Sequence, residues 1–250
     1  MKTRMDLLTV INLSKNFGKL KALDTISFSC NKGQTISIVG PNGSGKTTLM
    51  KCVLGMVIPD SGQILFDERE IKNDWSYRKH IGYMPQIGRY PDNMTIAQIF
   101  EMILDLRQKS WNDVDAHLVN ELGLKTIFNK RMRTLSGGTR QKVSASLAFL
   151  FNPEVFILDE PTAGLDPLSS EILKEKIQVE KDKGKLIFIT SHILSDFDDL
   201  VSEVIYLQDG KLLFHKNILQ LRTDTGEEKL SRAIASVMQD SIVSLNDVTK

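Results

Sequence analysis

The run Gly40-Pro41-Asn42-Gly43-Ser44-Gly45-Lys46-Thr47-Thr48 combines glycines, one lysine and hydroxyl side chains in the spacing G-x-x-x-x-G-K-[ST]. Gly40, Gly43 and Gly45 let the backbone take conformations closed to other residues and turn several N–H groups toward one polyphosphate. Lys46 adds a point charge between the β- and γ-phosphates. The Thr47 hydroxyl suits Mg²⁺, a hard cation that takes oxygen donors and usually keeps several waters. A nucleoside triphosphate is the first ligand to expect.

Such a loop must be held between two regular elements. Gln34 to Val39 reads as a short strand entering it, and Lys46 to Gly55 as a helix leaving it, with Leu49, Met50, Val53 and Leu54 on one face and Gly55 as the stop. The helix start adds its positive dipole end to the anion site.

Two further groups of residues belong to the same chemistry. Leu135-Ser136-Gly137-Gly138 precedes a helix with Val143, Leu147 and Leu150 on one side. Ser136 suits the N-cap, and Gly137 and Gly138 expose backbone N–H groups with no side chain in the way, which makes a second anion site. The apolar run Val155-Phe156-Ile157-Leu158 then ends in Asp159-Glu160. Carboxylates at the carboxyl end of a buried strand lie where α/β sheets bind ligands. Asp159 would hold Mg²⁺ through a bound water, and Glu160 would polarise an attacking water. Pro161-Thr162-Ala163-Gly164-Leu165-Asp166-Pro167 follows, and Thr190-Ser191-His192 comes after the next strand.

The rest of the chain supplies the scaffold. Leu8 to Leu13 and Thr25 to Cys30 alternate apolar and polar residues around Asn16-Phe17-Gly18, as antiparallel strands with one buried face do. Pro59-Asp60-Ser61-Gly62 turns into a strand over Gln63 to Phe66. From about Pro91 to Phe151 the pattern becomes helical: Thr95 to Leu106, a second helix capped near Asn112 and stopped at Gly123, and a third after Gly138. Val155 to Leu158, Leu186 to Ile189 and Val204 to Leu207 read as buried sheet strands, and Asp209-Gly210 turns the last into a hairpin with Lys211 to Phe214. Thr225-Gly226-Glu227-Glu228 reads as a capping box before a helix bearing Leu230, Ile234, Val237 and Met238 on one face.

Bulk composition excludes several classes. With 250 residues and 41% hydrophobic composition, the chain can bury a sizeable core as one domain with a subdomain or as two small domains. Lys+Arg 32 against Asp+Glu 31 leaves a net charge of +1, which gives no sign of nucleic-acid or membrane-surface binding through bulk charge. Cys30 and Cys52 form no metal or redox spacing and fit a reducing compartment as small buried hydrophobes. No apolar run approaches the roughly 18 residues that span a bilayer, so any membrane role comes through a partner.

In this order the motifs resemble the nucleotide-binding subunit of ATP-binding cassette (ABC) transporters, over about Leu7 to Phe214. The resemblance implies an α/β P-loop fold with a mixed central sheet, an antiparallel β subdomain and a helical subdomain over about 91–151, with 215–250 as a short helical extension. It assigns Gly40 to Thr48 to the Walker A loop and Gln86 in Tyr83-Met84-Pro85-Gln86 to the Q-loop, as a metal-site and catalytic residue. Leu135 to Gly138 becomes the signature, Val155 to Asp159 the Walker B strand, Glu160 the catalytic glutamate, Ala163 to Asp166 the D-loop and His192 the switch histidine. Phe17 takes the place of the aromatic that stacks on adenine, more often tyrosine in the family; a phenyl ring keeps the stacking face. Thr139 stands where the usual signature has glutamine.

The resemblance further implies ATP and Mg²⁺ as cofactors and a head-to-tail homodimer, each ATP lying between the Walker A loop of one copy and the signature of the other. Dimer opening after hydrolysis would drive a separate membrane permease, with the ATPase peripheral on the cytoplasmic face of the cell membrane. The segment Ile87-Gly88-Arg89-Tyr90-Pro91 is where the family receives a coupling helix. Residues 81–91 and 132–144 are similar to the NosF-type ATPases of nitrous-oxide reductase maturation, whose permease supports assembly of a copper–sulfur centre. Chromosome-maintenance ATPases share the motifs, but the interval from Thr47 to Leu135 is too short for their coiled-coil insertion. The translation-associated branch normally has two cassettes on one chain. A soluble ABC ATPase working in cofactor assembly without a permease stays open as the alternative.

Overall fold

In the computed structural model the described residues are 6–191 and 197–247, with side chains to Met238. His192, assigned above to the switch position, lies outside them. The chain opens with β1 (Leu8–Phe17) and β2 (Leu20–Cys30), an antiparallel hairpin joined through Gly18 in the left-handed region at φ 59°. With β4 (Ser61–Phe66) and β5 (Arg69–Glu70) they form a four-stranded antiparallel sheet in the order β2-β1-β4-β5.

The central sheet has the order β10-β9-β3-β8-β7-β6. Its parallel strands are β3 (Thr35–Val39), β6 (Ile81–Met84), β7 (Val155–Asp159), β8 (Leu186–Thr190) and β9 (Glu203–Gln208). The edge strand β10 (Lys211–Asn217) is antiparallel to β9 across the Asp209-Gly210 turn. The continuous apolar runs of the middle strands follow from burial on both faces. Phe156 and Leu158 of β7 join one core with the helices, whereas Val155 and Ile157 face a second core with α1 and the antiparallel sheet. β8 splits the same way, with Ile187 and Ile189 on the helical side and Leu186 and Phe188 on the other. Each such fully buried aliphatic or phenyl side chain contributes about 1.5–3 kcal/mol.

The helices are α1 (Lys46–Val53), α2 (Ile96–Leu106), α3 (His117–Glu121), α4 (Gly137–Phe149), α5 (Pro167–Asp182), α6 (Ile218–Thr225) and α7 (Leu230–Asp247). Thr95 caps α2 in a reciprocal box with Gln98. Two sequence expectations need correction. Asn112 caps no helix: it lies in a 3-10 turn (Trp111–Asp113) closed by a Ser110/Asp113 box, and the helix proper starts only at His117 before stopping at Gly123, φ 66°. Ser110 outcompetes Asn112 because the Asp113 carboxylate accepts from both the Ser110 N–H and the Ser110 hydroxyl. Thr225 does not open the last helix either. It ends α6, its hydroxyl donating to Leu221 O, and Gly226 at φ 69° terminates that helix before α7 begins at Leu230.

A buried polar cluster ties α5 to the segment ahead of α3. Lys176 of α5 donates to Asp115, ahead of α3, at 2.5 Å and to Glu180 at 2.8 Å, and Lys183 reaches Glu180 at 2.8 Å. Lys176 and Glu180 are buried. Cys30 and Cys52 are free and buried, and burial pushes the Cys52 thiol up to about 11. Among the described residues no helix is long and apolar enough to cross a membrane.

Candidate nucleotide site

The loop between β3 and α1 is set by glycines that nothing larger could replace. Gly40 has φ 152°, and a Cβ on it would stand 2.0 Å from Leu207 O. Gly45, the N-cap of α1, has φ 103°, and a Cβ there would stand 2.5 Å from Ala22 O. The loop is thus pressed against the backbone of β9 at Leu207 and of β2 at Ala22. Lys46 Nζ donates to Gly40 O at 2.7 Å and Pro41 O at 3.0 Å. Burial pulls its ammonium below the ordinary lysine range, opposed by the charges of Glu160 and Asp159.

Asn42, Gly43, Ser44, Gly45, Lys46, Thr47 and Thr48 line one side of a cleft of about 450 Å³. Phe17, Leu20 and Ala22 line another side, and Gln86, Asp159 and Glu160 complete it. Gly40 and Pro41 do not line it; their carbonyls hold Lys46. The volume is that of a small-molecule pocket. Phe17 is half exposed, with Lys15 Nζ 5.5 Å from its ring centroid, so one aromatic face is open to a flat ligand.

The acidic end of β7 is held tightly. Asp159 is buried, and its Oδ1 accepts from Thr190 Oγ1 at 2.5 Å. Glu160 has left the strand at φ 53°; its N–H donates to Thr190 O and Thr190 Oγ1, each at 3.1 Å. Glu160 O accepts from Ala163 N at 3.1 Å and from Gln141 Nε2 of α4 at 3.3 Å. A non-glycine residue in the left-handed region is strained, and here backbone and side-chain bonds over-determine it.

The donors fit the cofactors that the loop implies. Left-handed glycines cradle an anion, and Ser44 Oγ is a buried hydroxyl without a partner inside that cradle. Thr47, Gln86 and Asp159 offer only oxygen donors usable by Mg²⁺. Among the described residues no group of three or more His, Cys, Asp or Glu could hold a metal alone, so such an ion would share its shell with phosphate oxygens and water.

Ser136, Gly137 and Gly138 stand apart from this cleft at the start of α4. Ser136 Oγ accepts from Thr139 N at 3.3 Å and pairs with Thr139 Oγ1 at 2.9 Å. Thr139 therefore tightens the cap. Ser136 and Gly137 are exposed, while Gly138 lies against the loop after Glu160, where a Cβ would meet Gly164 O at 2.5 Å. Asp166 also stays outside the cleft. It caps α5 by accepting from Ser169 N at 2.9 Å and pairs with Lys142 of α4 at 2.8 Å, and these contacts hold its carboxyl far below the usual range.

Sequence reading missed Thr190, Gln141, Leu20 and Ala22. Thr190 and Gln141 carry no local signal, because their roles depend on the register of β7 with β8 and on the placement of α4. Leu20 and Ala22 were open to detection as alternate residues just past Phe17.

A phosphate-binding loop between a central parallel strand and a helix, opposite an acidic strand end, defines a P-loop nucleoside triphosphatase. The family model described as ABC transporter matches residues 23–163. The lantibiotic transport ATP-binding protein SrtF of Streptococcus pyogenes is 32% identical over 212 residues, covering 84% of this chain and 90% of that one. The bacitracin transport ATP-binding protein BcrA of Bacillus licheniformis is 34% identical over 207 residues, covering 81% and 67%. A solved ATP-binding subunit of an ABC transporter superimposes with a TM-score of 0.86 at 25% identity, over 93% of this chain and 99% of that one. The chain belongs to the ABC transporter family, as an ATP-binding subunit. It is an ATPase whose hydrolysis is coupled to transport, on the ABC ATPase fold.

Proposed function

We propose that the chain powers a separate membrane permease through ATP-driven closure and opening of a head-to-tail homodimer on the cytoplasmic face of the membrane. One observation carries this reading: at the capped start of α4, Ser136 and Gly137 are exposed and lie outside the lining of the chain's own cleft. Such an anion site is completed only by a second copy. Phe17 stacks on adenine, Lys46 and the loop amides hold the phosphates, and Thr47, Gln86 and Asp159 hold Mg²⁺, which screens phosphate charge when bound. Glu160 polarises the attacking water, and His192 steadies the γ-phosphate. Ser136, Gly137 and Gly138, with Asp166, serve the nucleotide of the other copy. Residues 1–214 form the ATPase body, and 215–250 the extension.

The permease side is supported by the surface. Ile87 is exposed next to Gln86. Met94, just ahead of α2, and Met102 and Leu106 on it line a shallow depression of about 550 Å³ with Gln98, Glu101 and Asp105. The relatives named for lantibiotic and bacitracin transport favour this reading over a permease-free role in cofactor assembly. The narrower assignment, to the permease of nitrous-oxide reductase maturation, rests on residues 81–91 and 132–144 alone. The test is extraction of the native complex in mild detergent. Co-purification of a polytopic membrane protein with a pair of these chains is expected, and recovery of the chain alone from membrane and cytosol alike would overturn the permease role.

A further inference from the structure

Gln86 is exposed on a short crossing between two fixed points. Behind it, Met84 closes β6 in register with Leu158 of β7. Ahead of it, Gly88 and Tyr90 are both seated on one residue of the signature helix. The Tyr90 hydroxyl and Ser144 Oγ lie 2.8 Å apart in a hydrogen bond. Gly88 is buried at the same spot: a Cβ on it would stand 2.2 Å from Ser144 Oγ and 2.7 Å from Tyr90 Cε2. Ile87 and Arg89, between these anchors, are exposed. Only alternate residues of the segment are therefore tied down, and both ties end on Ser144.

Ser144 is buried in α4, two helical turns from the Ser136 cap. A buried hydroxyl costs free energy unless it is paired, and Tyr90 supplies that pairing for Ser144. Burial raises the phenol above the usual tyrosine range, so it acts as a neutral hydrogen-bonding group.

We propose that Tyr90 is a positioning residue, whose bond to Ser144 fixes where Gln86 stands in the nucleotide cleft and ties that position to the helix carrying Ser136. The inference rests on the role proposed above for Gln86. Neither Tyr90 nor Ser144 lines the cleft, so both act through the loop and leave nucleotide contacts intact.

The test uses the full chain with Mg-ATP and five variants: Tyr90→Phe, Ser144→Ala, their combination, Gln86→Ala, and Gln86→Ala combined with Tyr90→Phe. Each single hydroxyl deletion should lower kcat roughly three- to tenfold, the scale of a group misplaced by a fraction of an ångström, with KM for ATP within about twofold. The double variant should be no worse than the poorer single one, because both remove the same bond. Tyr90→Phe introduced into Gln86→Ala should change kcat no further. Thermal melting separates a packing role: a lowered Tm with unchanged kcat in both single variants overturns the proposal, as do additive losses in the double one. If Gln86→Ala keeps wild-type kcat, the role of Gln86 falls and the positioning role falls with it. If Gln86→Ala is inactive while Tyr90→Phe is normal, only the positioning role is lost.

Discussion

Thr190 and Asp159, paired across the register of β8 and β7, share a hydrogen bond in which the threonine hydroxyl donates to the buried carboxylate. The same hydroxyl accepts from the N–H of Glu160. One side chain thus steadies both acidic residues of the site. Thr190→Val keeps the shape and removes the bond to a charged group, so the fold should lose about 1.5–3 kcal/mol in urea unfolding. Phosphate release should fall as well. A variant within experimental error of wild type in both would show that the bond is dispensable.

Among the described residues, Lys46 is the only cationic side chain lining the cleft. Lys46→Ala should weaken ATP binding and abolish turnover while the circular dichroism spectrum stays native. Equal affinity by calorimetry and equal hydrolysis would remove the loop from the mechanism.

The depressed Lys46 ammonium also gives binding a pH dependence. Burial lowers its pKa in the free protein, and a bound polyphosphate raises it again. Between the two values binding takes up a proton, so ATP affinity should decline as pH rises through the free-state pKa. Titration calorimetry in buffers of different ionisation enthalpy reads the proton directly. Proton release on binding would contradict this assignment.

Gly137 is exposed, and a Cβ on it meets nothing in its own chain. Gly137→Asp should therefore fold and bind ATP normally. In the proposed dimer its carboxylate faces a γ-phosphate, and like charges repel. Hydrolysis and ATP-driven dimerisation should both fail, and a variant that closes and hydrolyses like wild type would sink the head-to-tail arrangement.

Glu160→Gln retains the shape and removes the charge. Hydrolysis should fall by about two or more orders of magnitude, the scale of losing a positioned base, while ATP binding holds. Gel filtration should show a stable dimer with Mg-ATP and a monomer with Mg-ADP. Wild-type turnover in the variant would send the catalytic role elsewhere.

The loop, the acidic strand end and the capped start of α4 were legible because each is written in a contiguous run whose residue types have few other uses. The middle strands of the central sheet were legible for a similar reason, since burial on both faces leaves unbroken apolar runs such as Val155 to Leu158; the edge strand β6 was not, because Gly82 and Tyr83 interrupt its apolar run. Local competition between caps was not. Asn112 lost to Ser110, and Thr225 was drawn back into α6 by Leu221 O, choices decided by which partner sits three or four residues away. The contacts among Thr190, Gln141 and the acidic pair were illegible because strand register and helix placement bring them together.

The trio Asp115, Lys176 and Glu180 restricts how this chain can drift. Replacing Lys176 alone takes the lysine from Asp115 and leaves buried Glu180 with Lys183 as its remaining cation, and replacing Glu180 alone removes a buried counter-charge from Lys176. Each single step crosses a barrier that a joint change to apolar residues would avoid. A helical layer carrying Asp115, grafted from this protein onto another cassette, would therefore have to bring α5 along with it.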